Sequence, residues 1–315
     1  MLKKLFGKNK NKAEDKNRKT ISFGLKTTIY NVIGMRSIPS MPNAAQQAFK
    51  LSTNPNADAR DFIEVIESDE SLSARLMKIA NSVFFDRGTG SKTIEEAVHV
   101  IGIQELRCLL NACSLTEIFP SRHSARQQLW ANDVATAIIS RALAARLVPG
   151  KEDFAFLAGL MHDIGKLLLL QQAEIKYSLV LSKVEQGQSF QEAEEDVFAF
   201  NHMEAGTLVG EKWRFDEDLL EVIQTHHDPI DPNMNKDQLT VAQVIQLADL
   251  IAHTQGFGHP KGFNKFQKQS EEKLLEIWHV TGLTKEDLKE FSTRIKESLE
   301  NEYDLYSGQQ KNKAH

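Results

Sequence analysis

Four of the ten histidines in this 315-residue chain, His162, His202, His226 and His227, fall in one region with two carboxylates, Asp163 beside the first and Asp249 in a helix further on. Imidazole nitrogens and carboxylate oxygens together suit Fe, Mn, Zn or Co, each of which can activate a water for attack on a phosphate ester. Adjacent residues of a helix diverge by about 100°. His162 and Asp163 therefore reach one ion only if neighbouring helices bring further ligands over them. Lys166, four residues after His162, shares its helical face and is placed to neutralise a bound phosphate. His99, His123, His253, His259, His279 and His315 read as hydrogen-bonded structural residues, although His253 lies one turn after Asp249. The alternative for the six is a polar network in which they bond to one another and fix a bundle.

The elements that must position these residues read as helices throughout. Apolar residues recur at three- and four-residue spacing with no sustained alternation, which predicts an all-α protein. Asp58 caps a helix carrying Phe62, Val65 and Ile66, and Asp69 caps a second carrying Leu72, Leu76 and Ile79. A glycine-containing loop around 86–91 precedes Thr93-Ile94-Glu95-Glu96, a capping-box start, and Gly102 separates that helix from one over 103–118. The stretch 122–148 predicts one long helix whose alanines allow close approach of its neighbours, as suits the centre of a bundle. Helices follow at 153–170, 173–186, 190–198, 202–213, 217–226 and 238–253. The segment 256–262 reads as a linker, followed by two more helical patterns, the second opened by Thr284-Lys285-Glu286-Asp287. Asn81 and Ser82 close the helix before the 86–91 loop and are expected to set the N-terminal helices in place.

Composition narrows the class. A content of 41% hydrophobic residues supplies a core without staples, and Cys108 and Cys113 in an apolar helical stretch read as buried thiols of a reducing, cytoplasmic compartment. The longest apolar runs, such as Leu167 to Leu170, fall far short of the roughly 20 residues of a membrane span. A net charge of -5 argues against a binder of nucleic-acid backbones. Arg107 is the one clear phosphate or base contact on the helix-turn-helix-like stretch 94–110, so specific DNA binding is not expected. Residues 1–20 form a basic leader expected to be disordered.

Met161-His162-Asp163-Ile164-Gly165-Lys166 resembles the signature of the HD superfamily of metal-dependent phosphohydrolases, and is particularly like its HD-GYP branch of cyclic-di-GMP phosphodiesterases. The resemblance implies metal ligands at His162, Asp163, His202, His226, His227 and Asp249. It also places Asn132 where that branch has its first histidine, and Asp133 is expected to point elsewhere on its helix. After His227 the chain reads Asp228-Pro229-Ile230-Asp231-Pro232-Asn233, without the GYP motif. Ile38-Pro39-Ser40-Met41-Pro42, Ile79-Ala80-Asn81-Ser82 and Thr93-Ile94-Glu95-Glu96-Ala97 through Ile101-Gly102 to Leu106-Arg107 resemble, in order, the HDOD family. Its members are bacterial signalling modules regarded as non-catalytic, with an N-terminal helical subdomain packed on an HD-like bundle.

The organisation this implies is an HDOD domain over 31–230, with the N-terminal subdomain at 31–121, the HD-like subdomain over 122–258, and a C-terminal helical extension at 263–307. Three functions follow as expectations. The first is a non-enzymatic regulator that acts through other signalling proteins. The second is a residual phosphohydrolase with Asp163, His162 and Asp249 on one metal (Fe, Mn or Zn), His202, His226 and His227 on another, and Lys166 at the phosphate. The third is a sensor that holds a nucleotide without cleaving it.

Overall fold

In the computed structural model, the described residues are 21–307 other than Arg36, Pro55, Val83, Phe84, Asp86, Arg87, Thr89 and Glu117. The basic leader, His315 and much of the 86–91 loop lie outside them. All regular structure among the described residues is helical.

Helix α1 (Phe23–Ile33) packs on the later bundle, and Lys26 pairs with Glu211 at 2.6 Å. An N-terminal group follows: α2 (Asn43–Thr53), α3 (Ala59–Glu67), α4 (Glu70–Ala80), α5 (Ile94–Ile101) and α6 (Ile103–Leu115). The caps read in the sequence form. Asp58 makes a reciprocal box with Asp61, and Asp69 and Thr93 each accept from the backbone three residues on. Glu96 departs from the expected box by reaching back to the Lys92 N–H instead of that of Thr93. Asn81 binds Ser91 through both its amide nitrogen and its oxygen, at 3.0 and 2.6 Å, and so pins both ends of the intervening loop. Arg107 is committed internally: its guanidinium donates to the carbonyls of Leu51, Ser52, Asn54 and Ala57, which satisfies the end of α2.

The bundle begins with α7 (Ala125–Leu147), buried on nearly every side, and α8 (Glu152–Met161) packs along it. The helix expected over 153–170 is broken at His162 and Asp163, where the backbone turns before α9 (Ile164–Gln172). Then come α10 (Glu174–Glu185), α11 (Phe190–Phe198), α12 (His202–Trp213), α13 (Glu217–Thr225) and α14 (Val241–Thr254). The N-terminal group is fastened to the bundle through the Ile38-Pro39 segment. Trp213 Nε1 donates to the Pro39 carbonyl at 2.9 Å and Lys212 donates to that of Ile38.

The segment read as a linker is packed instead. His253 Nδ1 meets the Phe257 carbonyl at 3.0 Å, and a Cβ on Gly258, at φ +84°, would sit 2.6 Å from His253 and 2.7 Å from Asn132. Only glycine lets this loop close on the bundle. Beyond it, α15 (Asn264–Ile277) packs on α14, and α16 (Lys285–Ser307) lies against α6 and α7.

Candidate metal and ligand centre

The break between α8 and α9 is what brings both members of the His162-Asp163 pair to one centre. Gly165 makes the crossing possible: a Cβ there would lie 1.9 Å from the His202 carbonyl oxygen, so α9 and α12 touch backbone to backbone. That contact presents His202, the first residue of α12, to Asp163. His226 and His227 follow the end of α13, and Asp249 comes from α14.

Three imidazoles are oriented alike. The Nδ1 of His162 lies 2.7 Å from the Gly159 carbonyl, and that of His226 lies 3.1 Å from the carbonyl of Val222. Each Nδ1 can only donate there, because a carbonyl accepts. His202 Nδ1 is held at 2.5 Å by Glu194, a fully buried carboxylate that also accepts from the His202 N–H and the Tyr177 hydroxyl. Every Nε2 therefore turns inward. Asp163 Oδ1 lies 3.2 Å from His202 Nε2 and 3.5 Å from His226 Nε2, yet makes no aligned hydrogen bond.

The geometry gathers the expected ligands differently from the split read in the sequence. Asp163, His202, His226 and His227 form one group with ligand atoms within 4.8 Å of each other, and Asp133, His162 and Asp163 form a second. Asp133 was expected to point elsewhere on its helix and does not. Because α7 is enclosed on both flanks, its consecutive residues both meet protein, Asp133 toward His162 and Asn132 toward Asp249. Asn132 Nδ2 donates to Asp249 Oδ1 at 2.6 Å. His253 Nε2 approaches the same oxygen at 3.3 Å, so the one-turn spacing noted in the sequence is a real contact. Lys166 does not extend freely along the His162 face. Its ammonium is held by Asp163 Oδ2 at 2.5 Å, over the ring of Phe190 at 4.3 Å.

Electrostatics divide the centre in two. Burial disfavours the His162 imidazolium, but the neighbouring Asp163 and Asp249 carboxylates outweigh it and hold its pKa well above the usual value. The two carboxyls are correspondingly held well below the normal range against their own burial, Asp163 by His162, Lys166 and His202 and Asp249 by His253 and His162. This half is an internally neutralised network. In the other half, burial pushes His226 down to about 4 and His227 well below its ordinary value, so both stay neutral. Burial raises Asp133 well above the carboxylate range.

These residues fit one transition-metal ion. His202, His226 and His227 with Asp163 Oδ1 form a three-nitrogen, one-oxygen donor set with an orphaned buried oxygen at its centre. Such an ion would supply Lewis acidity to a bound water or phosphate oxygen. The Glu194–His202 pair is the carboxylate–histidine arrangement that orients metal-binding imidazoles. Sequence reasoning missed Glu194, which lies in an acidic run (Glu192, Glu194, Glu195, Asp196) that gives no sign of which member turns inward. Of the remaining described histidines, His123 is tied to Ser178, His259 to the carbonyls of Pro260 and His253, and His279 to that of Pro232, whereas His99, expected to be hydrogen-bonded, is exposed on α5 with no such bond among the described residues.

Known proteins share this architecture. An HDOD domain protein of unknown function from Geobacter sulfurreducens superposes with a TM-score of 0.67 at 21% identity, covering 90% of this chain and 94% of that one. A candidate phosphohydrolase from Shewanella amazonensis SB2B gives 0.64 at 23% identity, covering 89% and 97%. At these identities the likeness is one of fold. In sequence, the chain is 24% identical over 199 residues to an uncharacterised protein of Treponema pallidum, a match that takes in 61% of this chain and only 38% of that relative's length. The HDOD domain pattern itself matches residues 38–229, from the Ile38-Pro39 anchor on α12 to just past the paired histidines. With well over half its length so matched, the chain belongs to the HDOD domain family.

Proposed function

We propose that this chain is a signal-transduction module that does not hydrolyse phosphodiesters and acts through contacts with other signalling proteins. The observation that carries this reading is the Asn132–Asp249 hydrogen bond. In the HD hydrolases that this sequence resembles, the corresponding position is a histidine ligand. Here the amide Nδ2 donates to, and so occupies, an oxygen of the carboxylate that would grip a second ion, and the remaining amide oxygen is a poor substitute for imidazole with these metals. His162 and Lys166 neutralise the rest of that half. One ion's donor set is retained and the arrangement needed for two-metal hydrolysis is not.

The test is to load the purified protein with Mn or Fe, measure metal per chain, and assay cyclic-dinucleotide cleavage. One ion or none per chain and no turnover are expected. Metal-dependent turnover by the unaltered protein would overturn the reading. The second reading, a residual phosphohydrolase, is favoured by the inward turn of three Nε2 atoms. Asn132→His separates the two, because it is expected to add a second ion only if a single missing ligand stands between this chain and an active site.

A further inference from the structure

Charge is divided unevenly along this chain. Residues 1–20 hold eight basic side chains and two acidic ones, a net +6, so the remainder of a chain of net charge -5 carries -11. The first element after them, α1, has an outer face of a different kind. Ile29 and Ile33 turn inward, and every residue exposed over 22–35 is uncharged, in a protein of which 26% is charged. The hydroxyls there are already bonded: those of Thr27 and Thr28 donate to the carbonyls of Phe23 and Gly24, and that of Ser22 accepts from the Leu25 N–H. Lys26, at the edge of the face, is paired with Glu211. Phe23 is 87% exposed at one end and Met35 is 82% exposed at the other. Such a face gives up little polar hydration on leaving water, and its two large apolar side chains gain by doing so.

We propose that α1 and the basic leader before it seat this protein on an anionic lipid surface. Phe23 and Met35 enter the headgroup boundary, and the leader's lysines lie among the lipid phosphates. Reversible attachment of this kind takes two signals, an apolar foothold and a polybasic segment. The chain supplies both before residue 36, with Leu2, Leu5 and Phe6 of the leader adding to the apolar part.

Charge complementarity selects this partner and sets its orientation. An anionic surface draws the leader and repels the net-negative remainder, which turns α1 toward the lipid and the acidic faces away. A nucleic acid fits less well, because the outer face of α1 presents no free cation to a phosphate backbone and only the leader would engage it. Both the leader and α1 precede residue 38, where the family pattern begins, so the attachment belongs to this chain and not to the matched domain.

Sedimentation of the full chain with vesicles of phosphatidylcholine, alone or with about one-third phosphatidylglycerol, tests the proposal. Partition onto the anionic vesicles is expected to be at least tenfold stronger than onto the neutral ones and to fall as salt is raised. Phe23→Ser with Met35→Ser, both at exposed positions where folding is not at stake, should weaken it by about tenfold. Lys8→Gln, Lys10→Gln, Lys12→Gln and Lys16→Gln together should weaken it by about tenfold or more. Phe23→Trp reads the depth of contact: Trp130, Trp213 and Trp278 are buried, so quenching by brominated acyl chains is expected in this variant and not in the unaltered chain. No partition onto anionic vesicles overturns the proposal. So does partition that the Phe23→Ser, Met35→Ser pair leaves intact, or a Phe23→Trp variant that stays unquenched, since either reduces the contact to the leader's charge. Tighter binding of a single-stranded oligonucleotide than of the vesicles would make nucleic acid the partner. Self-association lost in the Phe23→Ser, Met35→Ser pair would make a second copy the occupant of this face, and either result overturns the lipid assignment.

Discussion

At the scale of single residues, Glu194 has the most influence for the least visibility. Its carboxylate fixes the His202 ring by accepting from Nδ1 at 2.5 Å, which leaves Nε2 as the lone pair that faces Asp163. Replacing it with glutamine keeps the shape and removes the charge. Glu194→Gln is expected to lower affinity for Zn or Mn by about 10- to 100-fold, read by metal titration, with helix content unchanged by circular dichroism. Unchanged affinity would show that the carboxylate does not orient a ligand. Asn132 is the opposite case, conspicuous in the sequence as a departure from the HD pattern and explained by the hydrogen bond it gives Asp249.

At the scale of elements, close approach of α9 and α12 is the feature on which the centre depends. Gly165→Ala would drive a methyl group into the His202 carbonyl, and an expected loss of about 3 kcal/mol in urea unfolding follows from overpacking with no flexible neighbour to yield. Gly24→Ala, with nothing within 4 Å, is the control and should be neutral or slightly stabilising. Most elements are legible in the sequence, because capping residues and apolar periodicity are local: 190–198 and 202–213 fall where the helices are, Asp58 and Asp69 cap as read, and Thr93 caps its helix without the expected box. The break at His162-Asp163 is not legible there. Leu160, Met161, Ile164 and Leu167 continue a helical apolar pattern straight through it, and only the packing of α9 on α12 makes the chain turn at that point. The six candidate positions are readable as types in order, although Asp249 falls outside both groups that could hold an ion. Asp133's inward aim is not, because a helical wheel assumes one buried face and α7 is buried all round.

At the scale of the whole molecule, the last helix ties the parts together. Tyr306 is fully buried near the end of α16, its ring 5.2 Å from that of Phe156. Arg141 of α7 reaches its hydroxyl and Arg75 of α4 reaches its carbonyl, each at 3.4 Å. Tyr306→Ala is expected to cost about 3 kcal/mol or more, and hydrogen exchange should rise in α4 and α7 together, not in α16 alone. Faster exchange confined to α16 would show that the contact is peripheral.

The Arg75–Tyr306 contact spans 231 residues of sequence and the Trp213–Pro39 contact spans 174. On the ribosome, Pro39 waits for α12 to emerge, and α4 cannot complete its contacts until the end of α16 has emerged as well. The N-terminal helices pack largely on one another, yet they complete their last contacts only after the helices that follow them have been made.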